Sequence, residues 1–265
     1  SKMALLLAIL LLSIGASVSA VKVAVPSLRI AGGEVAEKHS IPYQADLIVK
    51  FPESETLFRT GTLISPTYVL TAANCVVGSS NITVIMGVYN VEDKKEPTRR
   101  KYKGVSYTAH PLYNADGLND IAVVRLNQSA EINEYIQVAL LPRYSYLFTK
   151  PLIGKVAKVS GWGNVDGNSD PELTVLRFAE ITIRHHTECR SKFPRTNSGQ
   201  LCGTDPERYF EISDIGAPLV LGKVQVGIAA ATTIINGTER SPQIYTRIDR
   251  YLLWIGSNTD VTIEL

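Results

Sequence analysis

The side chains able to do acid–base or nucleophilic chemistry in this sequence are few and scattered. Asp120, in Asn119-Asp120-Ile121-Ala122, is a carboxylate at the start of an apolar run. Ser213 offers a hydroxyl two residues before Ile215, in Ser213-Asp214-Ile215-Gly216, but no base stands near it in sequence. Cys75 follows Asn74 in Leu70-Thr71-Ala72-Ala73-Asn74-Cys75. A reactive thiolate wants a neighbouring histidine or cation in a semi-exposed setting, and none adjoins it. The four histidines are His39, His110, His185 and His186. The adjacent pair at 185 and 186 suggests a metal site, yet it reads better as a surface strand or turn. No metal and no cofactor are therefore expected.

Around these side chains, short runs rich in Val, Ile, Thr and Tyr recur between turn signals, among them 68–71, 82–86, 121–124, 155–159 and 224–228. Many short strands at this spacing predict an all-β sandwich or barrel. One helix is expected near the end, from about Asp249 to Ile255, where Tyr251, Leu252, Trp254 and Ile255 fit helical spacing. Val261 to Leu265 reads as a loose tail. With 265 residues, 45% hydrophobic and 20% charged, the chain can bury one sizeable core or those of two small lobes.

At the other end, Lys2 and Met3 precede an apolar run from Ala4 to Ile14, followed by Val18-Ser19-Ala20. A positive start, a short apolar stretch and a small-x-small site predict a secretory signal peptide over 1–20. The run is too short to span a bilayer, which takes about 20 apolar residues. A soluble extracellular protein is expected. The formal charge of +2 loses Lys2, Lys22 and Arg29 if residues 1–29 are removed, leaving −1. Bulk charge thus argues for neither nucleic acid nor membrane. Three cysteines, an odd count, leave one thiol free or available to another chain in an oxidising compartment. Sequons at Asn81, Asn127 and Asn236 fit a glycosylated surface. Lys94, Lys95, Arg99, Arg100, Lys101 and Lys103 form either a polyanion-binding patch or, the favoured reading, a solvated loop.

Six segments together resemble the chymotrypsin/trypsin-like serine protease family, in order and spacing, from Ile30 to about Ser257. Arg29-Ile30-Ala31-Gly32-Gly33 looks like its activation site. The segment ending Asn74-Cys75 looks like its LTAAHC box, and Asn119 to Ala122 matches NDIA. Gly161-Trp162-Gly163 matches GWG, Ser213 to Leu219 aligns with GDSGGPL, and Ile244-Tyr245-Thr246-Arg247 with VYTR. The resemblance, arthropod-like in texture, implies two antiparallel six-stranded barrels with a short C-terminal helix. It divides the chain into a propeptide at 21–29, a first barrel at about 30–140, a second at about 141–257 and a tail at 258–265.

Family chemistry needs a hydroxyl to attack a carbonyl, an imidazole to take its proton and a carboxylate to hold the imidazole. By resemblance Asp120 is that carboxylate, while Asn74 stands at the imidazole position and Ile215 at the nucleophile. A carboxamide has no basic lone pair near neutral pH, and Ile215 offers only hydrocarbon. The triad is read as degenerate, with none of its positions functional. The substrate pocket looks altered too. Tyr209 falls at its base, Gln243 replaces an open glycine, and Ala230-Ala231-Thr232 replaces an edge with an aromatic wall; slippage of the alignment near Asn236 is the alternative. Cleavage after Arg29 would free Ile30 to pair with Asp214. Cys189 and Cys202 match a family disulfide, and the partner of Cys75 has become Arg59, leaving Cys75 a free thiol. The reading is a secreted non-catalytic homologue acting through extracellular protein partners, as cascade cofactor, inhibitor decoy or immune or haemostasis modulator. A peptidase with rearranged groups is the alternative.

Overall fold

Residues that alternate along a strand face opposite sides, and in β2 (Gln44–Lys50) the alternate set Ala45, Leu47 and Val49 is fully buried. The same half-apolar patterning recurs in β3 (Thr56–Ser65), β4 (Tyr68–Thr71), β5 (Asn81–Met86), β6 (Arg100–Ala109) and β7 (Ala122–Leu126). These six strands close into an antiparallel barrel in the order β2-β3-β4-β7-β6-β5. Closure leaves no unpaired edge. The structure is a computed structural model and describes residues 30, 33–53, 55–114, 116–145, 151–163, 174–205, 208–232 and 242–264. The expected leader and propeptide, Arg29 and Asn236 lie outside them.

A second antiparallel sheet runs β9 (Arg177–Arg184), β10 (Gln200–Thr204), β13 (Gln243–Arg247), β12 (Val224–Thr232), β11 (Pro218–Leu221) and β8 (Val156–Gly161). Pairing of β8 with β9 closes it. The expected two six-stranded barrels are thus present. One boundary differs. The short β1 (Glu34–Val35), counted with the first barrel in the sequence, pairs with β9 of the second.

The chain's end differs as well. A 3-10 turn at Ile248–Arg250 precedes α2 (Leu252–Asn258), so the helix starts later than 249 and runs on to 258. Its Leu252 and Ile255 enter the first barrel's core beside Leu70, Ala73 and Ile121, although the helix follows the second barrel in sequence. The tail is not loose. Val261 and Ile263 pack on that core, Tyr144 N donates to the Glu264 carbonyl (2.8 Å), and Thr67 Oγ1 donates to Asp260 Oδ2 (2.5 Å). Two apolar residues spaced to face one way are the signal that marks a docked segment. Among the described residues no helix is long and apolar enough to cross a membrane.

Candidate functional site

Asp120 sits just before β7 and is buried, while Asn74 lies in the four-residue helix α1 (Ala73–Val76) directly after β4. Pairing of β4 with β7 at Thr71↔Ala122 brings these two chain ends together. The Asn74 amide N–H donates to Asp120 Oδ1 (2.8 Å) and Asn74 Nδ2 donates to Oδ2 (2.7 Å). The same Nδ2 donates to the Ala230 carbonyl on β12 (3.1 Å), and Thr246 Oγ1 on β13 donates to the Asp120 carbonyl (2.7 Å). Both barrels therefore grip this pair. Burial pushes the Asp120 carboxyl up to about 7, against the pull of its Asn74 and Ala73 hydrogen bonds. Its carboxamide has no basic lone pair and cannot shuttle a proton: Nδ2 is a fixed donor, and Oδ1 accepts from Cys75 Sγ (3.4 Å).

Across the barrel interface, Ile212–Asp214 forms a 3-10 turn ending at Ile215. The Ile215 N–H donates to the Ile212 carbonyl (3.2 Å), and the Ile215 carbonyl accepts from Thr60 N on β3 (3.0 Å). Gly216 follows with φ +93°, its α-carbon so close to the Thr60 carbonyl that a β-carbon would collide with it. Ile215 is partly buried and packs on both cores. Asp214 is buried behind it, accepting from Gly163 N (2.7 Å) and Glu211 N (3.0 Å). Burial raises its carboxyl to about 6, opposed by the Gly163 hydrogen bond. Ile30 is buried in the second core at φ +34°.

Next to this turn the second barrel is filled. Gln243 is fully buried; its Nε2 donates to the Arg208 carbonyl (3.0 Å), and its Oε1 accepts from Phe210 N (3.3 Å) and Tyr245 Oη (2.8 Å). The carboxamide thus clips both sides of half-buried Tyr209, and Gln243 lies opposite Thr232 in the β12–β13 register. Phe210 is also fully buried, edge-on to Tyr245 at 5.3 Å. Sequence reasoning missed it. The signal was a large aromatic beside Tyr209, in a segment where an open pocket wants small residues.

A cleft of about 580 Å³ lies beside Asn74 and Asp120, between Tyr113, Phe193, Ala230 and Ile244. An ion pair of Arg195 with Asp116 and the bond from Gln200 Nε2 to the Gly117 carbonyl (3.1 Å) tie the barrels at its far end.

The remaining candidates lie apart. His110 packs against the Tyr251 and Trp254 rings, His185 and His186 against each other, and His39 against Tyr135. Among the described residues no three His, Cys, Asp or Glu side chains are grouped to hold a metal. Cys189 and Cys202 form a disulfide, and Cys75 is free and buried, its thiol pushed up to about 12 by burial. Asn81 and Asn127 are exposed, with Asn127 Oδ1 accepting from Lys103 N (2.9 Å). Lys94 Nζ and Arg99 Nη1 both donate to the Val91 carbonyl, and Arg100 pairs with Glu131 (3.3 Å). Lys95, Lys101 and Lys103 are exposed.

Two β-barrels with a cleft at their junction define a class, and comparison with known proteins agrees. The trypsin family model matches residues 30–255. The chain is 33% identical over 237 residues to a chymotrypsin of Phaedon cochleariae, covering 89% of this chain and 84% of that one. It is 33% identical over 233 residues to granzyme-like protein 1 of Rattus norvegicus, covering 86% and 90%. Among solved structures, one described as GrC superposes with a TM-score of 0.76 at 26% identity, covering 87% of this chain and 99% of that one. The chain belongs to the trypsin family of serine proteases.

Proposed function

We propose that this protein is a secreted, non-catalytic member of the trypsin family that works as a binding or regulatory protein for other extracellular proteins. The observation that carries the reading is Asn74. Its amide protons are spent on Asp120 and Ala230 where the family places an imidazole. Ile215 supplies no nucleophile at the other position. In another protease, loss of either the serine or the histidine costs on the order of 10⁶ in kcat, and here both are replaced. The Ile215 N–H, given to the Ile212 carbonyl, is also withdrawn from stabilising an oxyanion. Gln243 and Phe210 occupy the space beside Tyr209 that a substrate side chain would enter.

Cleavage after Arg29, pairing the new Ile30 amine with Asp214, remains part of the proposal. So do secretion and glycosylation at Asn81, Asn127 and Asn236. Partners of the regulatory kind include proteases of a cascade, their inhibitors and immune or haemostatic factors. Engagement of Lys94, Arg99 and Arg100 within their own loop supports a solvated surface there rather than a polyanion site.

The alternative, a peptidase with rearranged groups, needs a histidine against Ser213 or Cys75. Among the described residues the histidines make their contacts elsewhere, and Cys75 is held as a neutral thiol. The test is to expose the Arg29-cleaved protein to a fluorophosphonate probe and a broad peptide library. No labelling and no turnover are expected. Labelling, or turnover that the probe abolishes, would overturn the proposal.

A further inference from the structure

The two sequons among the described residues sit in different settings. Asn127 is already engaged: its Oδ1 accepts from Lys103 N (2.9 Å), and its own N–H donates to the Lys103 carbonyl (2.8 Å). Asn81 is exposed at the start of β5, and among the described residues nothing bonds its carboxamide. It lines a groove of about 290 Å³ between the turn at 79–80 and residues 104–107 of β6. That volume lies just below the range that takes a drug-sized ligand, so the groove has room for one sugar ring.

β6 carries a bulge at this point. Its pairing with β7 slips between Gly104 and Ser106, which makes Val105 the extra residue. A bulge re-aims the side chain it carries, and Val105 is 52% exposed. On the other side, β5 pairs with β6 up to Ile82↔Gly104, which brings Asn81 level with Val105. Tyr107 Oη accepts from Gly78 N (3.0 Å), and this bond holds the ring beside the turn that leads into Asn81. The hydroxyls of Ser79 and Ser106 make no bond among the described residues. An outward aliphatic group, a held aromatic ring and free hydroxyls therefore line the groove that the sequon nitrogen enters. An N-acetylated sugar has the matching parts: a face of C–H groups, an acetamido methyl and a rim of hydroxyls.

We propose that the first N-acetylglucosamine of an Asn81-linked glycan lies in this groove, its apolar face on Val105 and Tyr107 and its hydroxyls toward Ser79 and Ser106. Covering Val105 removes apolar surface from water, and the sugar ties the start of β5 to the bulge of β6. The proposal rests on the reading that Asn81 is glycosylated. In that reaction Asn81 Nδ2 displaces the diphosphate of a lipid-linked oligosaccharide at its first sugar carbon. An N–C bond forms, a C–O bond breaks, the diphosphate leaves with the electron pair, and Nδ2 gives up one proton.

The test uses the full chain secreted from a glycosylating eukaryotic cell, with occupancy of Asn81 read by glycopeptide mass spectrometry. An endoglycosidase trims the glycan to one N-acetylglucosamine. Thr83→Val leaves no sugar, because it destroys the sequon while keeping a β-branched residue in the strand. The one-sugar form is expected to keep the Tm of the full glycoprotein. Thr83→Val is expected to lower it by about 2–4 °C, the shift of one modest contact in a domain of this size. In a Val105→Ser background that loss is expected to vanish, which separates the sugar's contact from any effect of the strand substitution itself. NMR of the one-sugar form is expected to show nuclear Overhauser contacts between the acetamido methyl and the Val105 methyls. Ser129→Ala, which removes the sequon at Asn127, is expected to leave those contacts and the Tm unchanged. An unmodified Asn81 would overturn both this proposal and the glycosylation reading. An occupied Asn81 without the contacts, or with a Tm loss that persists in Val105→Ser, would overturn the groove alone and leave glycosylation standing.

Discussion

Replacing Gln243 with leucine keeps a side chain of similar bulk in the second barrel and removes every hydrogen bond that side chain makes. The loss can be worked out bond by bond. Tyr245 is fully buried, so its hydroxyl, now donating to Gln243 Oε1 at 2.8 Å, has no water to turn to. Stranding a buried donor costs about 1–3 kcal/mol, and the enclosure places this one near the top. The Phe210 N–H contact, at 3.3 Å, is longer and adds about 1 kcal/mol. Gln243→Leu is therefore expected to cost about 3–4 kcal/mol. At about 2–4 °C per kcal/mol for a domain of this size, calorimetry should find Tm lower by roughly 6–16 °C. Tyr245→Phe removes the stranded hydroxyl. The double variant should then be more stable than the two single losses summed, by about 1–2 kcal/mol, because touching partners do not add. Additivity within about 0.3 kcal/mol, or a single-variant loss below about 1 kcal/mol, would refute the clip.

Two further outcomes follow from the buried acids and the thiol. Asp120 is raised to about 7, and Asp46 and Asp214 to about 6, in each case mainly by burial. Raised acids bind protons in the fold that the unfolded chain releases. Their stabilising contribution is complete below the ordinary carboxylate range and is lost as pH rises through 6 to 7. Tm should fall between pH 5 and pH 8, with a shallower slope in Asp120→Asn; a rise over that range would contradict the assignment. Cys75, neutral and buried, should resist a thiol reagent at pH 8 in the native protein and react at once in denaturant. Mass spectrometry reads this directly, and rapid native labelling would show the thiol to be open.

The fold was largely legible because six separate segments constrain one architecture in order. Asn74, Asp120 and Ile215 could be placed for the same reason: each sits inside such a segment, anchored by neighbours such as Thr71 and Gly216 whose packing allows little else. What lay between the segments was harder. Phe210 reads as one more apolar residue until β13 puts Gln243 and Tyr245 beside it. The helix was placed early because Tyr251 and Trp254 do fit helical spacing, yet the backbone first takes a 3-10 turn at Ile248–Arg250. The tail reads as loose because its only pattern is the pair Val261 and Ile263, which is easily passed over until it is seen packed on the first core.

The exchange of chain ends between the barrels bears on how the protein can be made. β1, emerging early from the ribosome, belongs to a sheet whose partner strand β9 is some 140 residues behind it. The first barrel is complete in strands by Leu126, but it lacks Leu252, Ile255 and Ile263, which arrive last. The first barrel's core is therefore completed only when the final turn of the chain has been made, whereas the second barrel finds β1 already waiting for β9. A fragment cut between the barrels would expose apolar surface on both sides. Each lobe thus holds an arm from the far end of the chain, β1 in the second and the C-terminal helix in the first.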